Sequence, residues 1–99
     1  MTSGLIRFRV LNIIVSGKVQ GVSFRAATKA VADQLGVKGT IRNHHDGALH
    51  IKAAANHLQM DQFLEWCREG PDHARVESVK IEELEIDAAP IFKNFEILK

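Results

Sequence analysis

Apolar positions recur along the chain in two rhythms, alternate residues in some stretches and every third or fourth residue in others. From Arg7 to Val15 they alternate: Leu11, Ile13 and Val15 share one parity, Val10, Asn12 and Ile14 the other. Side chains that point in turn to opposite faces make this a strand. Two apolar residues on the second face predict a central strand, partly covered on both sides. From Phe24 the rhythm changes. Ala27, Val31 and Leu35 recur at helical spacing with Ala30 beside them, predicting a first helix capped by Ser23 and ended by Gly36. Arg25 lies off that stripe.

Lys38 to Asn43 predicts a second strand, with Ile41 on one face and Thr40 and Arg42 on the other. His44-His45-Asp46-Gly47 follows as a turn, and Asp-Gly is a strong hairpin signal. Leu49, Ile51 and Ala53 then alternate against His50 and Lys52 as a half-buried third strand. Asn56 with Gln59 forms a near capping box and opens a second helix. Met60, Phe63, Leu64 and Cys67 give that helix one apolar stripe, and Gly70-Pro71 stops it. Arg75 to Ile86 predicts a long fourth strand. Val79 and Ile81 have one parity, Leu84 and Ile86 the other, so a bulge or bend is expected near Glu82-Glu83. After a loop from Asp87 to Pro90, Phe92 to Leu98 predicts a short last strand with Phe95 and Ile97 inward. The expected fold is therefore α+β: a ferredoxin-like split β-α-β sandwich, βαββαβ plus a short extra strand, with two helices on one face of a mainly antiparallel sheet. Residues 1–99 read as one domain, with 1–6 frayed.

Composition narrows the function. Thirteen basic against twelve acidic residues give a net charge of +1, which is no basic field for nucleic acid. The chain has no Tyr, and Phe8 and Phe92 fall on peripheral strands, so an aromatic RNA-stacking sheet is disfavoured. One cysteine, Cys67, permits no internal disulfide and reads as a small core residue. The apolar run from Val10 to Val15 is too short to span a membrane. A cytoplasmic monomer, without membrane or nucleic-acid partner, is expected.

Candidate chemistry gathers in Val15-Ser16-Gly17-Lys18-Val19-Gln20-Gly21-Val22-Ser23-Phe24-Arg25. This stretch leaves a strand, crosses a loop with two glycines and enters a helix. Glycine permits positive φ or close backbone approach. Loop N–H groups can converge on an anion, and a helix start adds unpaired N–H groups and the positive end of its dipole. Arg25 adds a rigid charged fork suited to phosphate oxygens. Spacing alone leaves an ordinary turn and a solvated surface arginine as the alternative. Taken alone, Asn43 is a turn residue. His44 and His45 invite a metal, but adjacent strand residues point to opposite faces and no third ligand at metal spacing completes a set. His50, His57 and His73 read as surface residues, and no metal is expected.

The run V-S-G-K-V-Q-G-V-S-F-R resembles the first signature of the acylphosphatase family. Gly39-Thr40-Ile41-Arg42-Asn43-His44-His45-Asp46-Gly47 resembles the second, with departures at Thr40 and Ile41. Glu69 to Val76 resembles the loop after the second helix, and Phe95-Glu96-Ile97 the closing strand. The resemblance implies hydrolysis of acyl phosphates to carboxylate and inorganic phosphate, without cofactor. It implies phosphate binding by Ser16, Gly17, Lys18, Val19, Gln20, Gly21, Val22 and Arg25, and water orientation by Asn43, with Arg25 and Asn43 catalytic. The partners implied are a small acyl phosphate, and phosphate or sulfate as product or inhibitor. The alternative is a non-catalytic anion-binding module on the same fold.

Overall fold

The structure, a computed structural model, describes residues 8–85 and 92–99. The expected fraying of 1–6, Ile86 and the 87–90 loop lie outside the described residues. The elements are β1 (Phe8–Lys18), α1 (Phe24–Leu35), β2 (Lys38–Asn43), β3 (Leu49–Asn56), α2 (His57–Glu69), β4 (Arg75–Leu84) and β5 (Phe95–Ile97). The sheet order is β4-β1-β3-β2-β5. All neighbours are antiparallel except β2 and β5, which run parallel. Both helices pack on one face, as the ferredoxin-like pattern requires. Among the described residues no helix is long and apolar enough to cross a membrane.

The core forms where strand parity and helix stripe meet. Leu11, Ile13 and Val15 of β1 and Leu49, Ile51 and Ala53 of β3 are buried under the helices. The α2 stripe Met60, Phe63, Leu64 and Cys67 covers them. Burial pushes the Cys67 thiol up to about 12, which leaves it an unreactive packing group. On the opposite face Val10 is also buried, beside Leu84 and Ala54, so β1 is central and covered on both sides; Phe8 therefore starts a central strand rather than a peripheral one, and Phe92 lies before β5 rather than in it.

Three expectations about burial and register are corrected. The fully buried line of α1 is Phe24, Thr28 and Ala32; Ala27, Val31 and Leu35 flank it half-buried, and Ala30 is exposed. Thr28 tolerates burial because its hydroxyl donates to the Phe24 carbonyl oxygen at 2.8 Å. The bulge is not at Glu82-Glu83. Register is continuous from Val10↔Leu84 to Ser16↔Ser78, then slips so that Gly17 faces Val76, leaving Glu77 as the extra residue. Leu84 needs no bulge to be covered, since it sits beside Val10 on the open face. Finally, Ile97 shares the register of the buried Ile41 but is 40% exposed, at the rim of a hollow described below.

β1 continues three residues further than expected, the last two of them past the slip. A Cβ at Gly17 would fall onto the Arg75 carbonyl oxygen, so glycine is required there by the close approach of β4. Glu83, on β4, accepts two bonds at 3.2 Å from the Arg9 guanidinium of β1. That pairing holds its carboxyl below the ordinary value.

Candidate active site

The segment between β1 and α1 is residues 19–23. Val19 anchors it in the core, and Gly21 turns it at φ 76°, with open space where a Cβ would stand. Gln20 holds the segment to the neighbouring hairpin: its Nε2 donates to the His44 carbonyl at 2.9 Å and to the Ala48 carbonyl at 3.0 Å. Ser23 occupies the cap position of α1, but with φ 60° and ψ 23°. It is the sole non-glycine residue with positive φ among the described residues. A capping serine adopts extended backbone so that its oxygen reaches the second or third helical N–H. Left-handed Ser23 makes no such bond.

The first-turn amides of α1 are therefore not capped by their own chain. Among the described residues the N–H groups from Ser23 to Ala26 donate to no protein acceptor, and the first bond of the helix is from the Ala27 N–H to the Ser23 carbonyl at 3.1 Å. These orphan donors, with the helix dipole behind them, form a receptive surface for an anion.

Arg25 and Asn43 complete this surface. Asn43 ends β2 two residues beyond Ile41 and so shares its face, on the helix side of the sheet. Arg25 is half-buried in the first turn of α1, its Nη1 donating to the Leu98 carbonyl at 3.5 Å. Among the described residues it pairs with no carboxylate, which leaves most of its fork open. Val19, Gly21, Ser23, Phe24, Arg25, Ala26, Asn43 and Ile97 together line a hollow of about 370 Å³.

The residues expected from sequence divide here. Arg25, Asn43, Val19 and Gly21 are brought together. Gln20 shapes the loop from behind. Val22 packs half-buried against the core. Ser16, Gly17 and Lys18 belong to β1, paired with Ser78, Val76 and Arg75, and do not line the hollow. Ser23 and Ile97 were not foreseen as wall residues. Ser23 looked like an ordinary cap, and Ile97 reaches the site only through the parallel pairing of β5 with β2.

The histidine reading is also corrected. His44 and His45 lie in a turn rather than an extended strand, so their rings do not splay apart; the centroids are 4.0 Å apart. His50 is not a free surface group, since its ring stacks on His44 at 4.1 Å and 9°. Among the described residues His44, Asp46 and His50 form a cluster of metal-ligand type. A larger hollow of about 520 Å³ lies on the open sheet face among Asn12, Ile14, Arg42, Lys52 and Lys80, and neither Arg25 nor Asn43 lines it.

Comparison with known proteins agrees with the geometry. The acylphosphatase family model matches residues 11–97. The acylphosphatase of Rubrobacter xylanophilus is 45% identical over 73 residues, 74% of this chain and 66% of that protein. The acylphosphatase of Acaryochloris marina is 39% identical over 89 residues, 90% of this chain and 92% of that one. The crystal structure of the Bacillus subtilis acylphosphatase superposes with a TM-score of 0.86 at 27% identity, covering 92% of this chain and 99% of that one. Sequence, fold and relatives converge, and this chain belongs to the acylphosphatase family, hydrolases of acyl phosphates.

Proposed function

We propose that the hollow at the start of α1 binds the phosphate group of an acyl phosphate and directs water onto it. The observation that carries this reading is the meeting of Arg25 and Asn43, from different elements, around uncapped helix amides. Phosphoryl transfer asks mainly for positioning and for donors aimed at three equatorial oxygens. The Arg25 fork and the uncapped N–H groups of residues 23–26 supply them. The Asn43 carbonyl oxygen accepts from the attacking water while its NH₂ donates to phosphate. The water oxygen bonds to phosphorus in line as the bond to the acyl oxygen breaks. The departing carboxylate, whose conjugate acid has a pKa near about 4, leaves without a strong general acid. A neutral amide is no base, so the water proton passes to a phosphate oxygen. The products are carboxylate and inorganic phosphate. Lys18, exposed on β1, contributes at most a general attraction for the anion.

The test is hydrolysis of an aryl acyl phosphate by chelator-treated protein, with inorganic phosphate as competitor. Hydrolysis that phosphate inhibits is expected. In Arg25→Gln both activity and inhibition by phosphate are lost, whereas Asn43→Ala loses turnover and keeps phosphate binding. Equal loss of phosphate affinity in the two variants contradicts the assignment of roles. The chain acts as a cytoplasmic monomer in this reading, and sedimentation of the purified chain checks its oligomeric state.

A further inference from the structure

Three ligand-type side chains meet on the hairpin between β2 and β3, outside the hollow. His44 Nδ1 lies 3.1 Å from Asp46 Oδ1, and His50 Nε2 lies 3.6 Å from Asp46 Oδ2. The ligand atoms of all three lie within 4.8 Å of one another. His50 Nε2 is buried and has no hydrogen-bond partner among the described residues. A separation of 3.6 Å is too long for a hydrogen bond, and a buried nitrogen left unpaired is costly. Ligands of one tetrahedral ion, with bonds of about 2.0–2.1 Å, stand about 3.3–3.4 Å apart. The two histidine–carboxylate separations, each to a different oxygen of Asp46, are close to that value.

The rings of His44 and His50 are stacked near-parallel, and since an imidazole lone pair lies in its ring plane, ligation of one ion by both turns one ring out of this stack. Asp46 Oδ1 accepts from the Ala48 N–H at 2.8 Å, and His44 Nδ1 accepts from the Asp46 N–H at 3.3 Å, a bond that ligation through Nδ1 replaces.

We infer that this hairpin binds a divalent transition-metal cation of the zinc type, through His44 Nδ1, Asp46 and His50 Nε2. Two imidazoles and a carboxylate suit zinc rather than magnesium, which prefers oxygen donors and retained water. The ion takes no part in hydrolysis. It clips the hairpin whose His44 and Ala48 carbonyls hold Gln20 and beside which Asn43 stands, and so stiffens one wall of the hollow.

The test is calorimetric titration of the chelator-treated, dialysed full chain with zinc, and separately with magnesium. One zinc per chain is expected, with a thermal midpoint raised by zinc and no comparable magnesium binding. His44→Gln and His50→Gln each lower zinc affinity by at least about a hundredfold, the upper end of what losing even an outer partner costs. Asp46→Asn keeps an oxygen for the Ala48 N–H but removes the charge, and the same loss is expected. It carries the test if a histidine variant fails to melt cooperatively. His57→Gln alters a histidine–carboxylate pair on α2, 3.3 Å from Asp61, that belongs to no three-ligand cluster among the described residues, and leaves affinity unchanged. No saturable zinc binding by the parent chain overturns the site. So does binding of parent strength in His50→Gln and Asp46→Asn, or magnesium binding as tight as zinc.

Discussion

At the start of α2, Asn56 has extended backbone, its carboxamide oxygen accepts from the Gln59 N–H at 2.8 Å, and Gln59 Oε1 accepts in return from the Asn56 N–H at 3.0 Å. At the start of α1, Ser23 has left-handed backbone and its hydroxyl caps nothing. Every helix begins with amides that its own ladder cannot satisfy. α2 seals part of that set with its own side chains and buries its stripe. α1 leaves the set open beside Arg25 and Asn43. The difference separates a helix start that holds the fold from one that, in the function proposed above, receives an anion, with the strained cap of α1 beside it.

Substitutions break or sharpen that contrast, from the largest effect to the smallest. Arg25→Ala removes the charged fork from the open start, and kcat/KM for an aryl acyl phosphate falls on the order of a thousandfold, the upper end for one lost donor. The fall is read with cooperative melting retained. Asn43→Ala lowers kcat by about a hundredfold. Its phosphate inhibition constant stays near the parent value, which steady-state kinetics with phosphate competitor checks. Asn56→Ala opens the sealed start and costs about 1 kcal/mol of stability by urea titration, with kcat unchanged. Ser23→Ala loses no cap bond and shifts stability by less than about 0.5 kcal/mol, the range of substitutions away from any such feature. Were Ser23→Ala to cost as much as Asn56→Ala, the contrast between the two starts would collapse. Ser23→Gly relieves the left-handed strain and melts no lower than the parent.

The same contrast explains what could be read from the chain. The α2 cap was legible because its cause is local: Asn56 and Gln59 are three residues apart and satisfy each other. Strand parity placed Leu11, Ile13, Val15, Leu49, Ile51 and Ala53 correctly for the same reason, since period two is a local rule. Ser23 has the residue type of a cap but not its backbone, and only the docking of the preceding loop fixes that. The bulge at Glu77 escaped because Leu84 was assigned inward, whereas burial beside Val10 comes from a neighbouring strand. Ser16 to Lys18 read as loop because nothing local reports that β4 reaches them past the bulge. His44 and His50 were weighed apart, since only the curl of the hairpin stacks one on the other. At the site, the Arg25 and Asn43 types were visible in the signatures, and the hollow that joins them was not.

Strand order also governs how the chain reaches this state. β1 lies between β3 and β4, so Val10 finds Ala54 on one side and Leu84 on the other. Nearly the whole chain must be drawn into a closed path before the second of these ladders forms, and that entropy is surrendered ahead of any reward. Such a topology folds slowly for its size. While it waits, β1 offers apolar side chains on both faces and bare amides along one edge, which makes it the segment through which crowded, half-folded copies would associate.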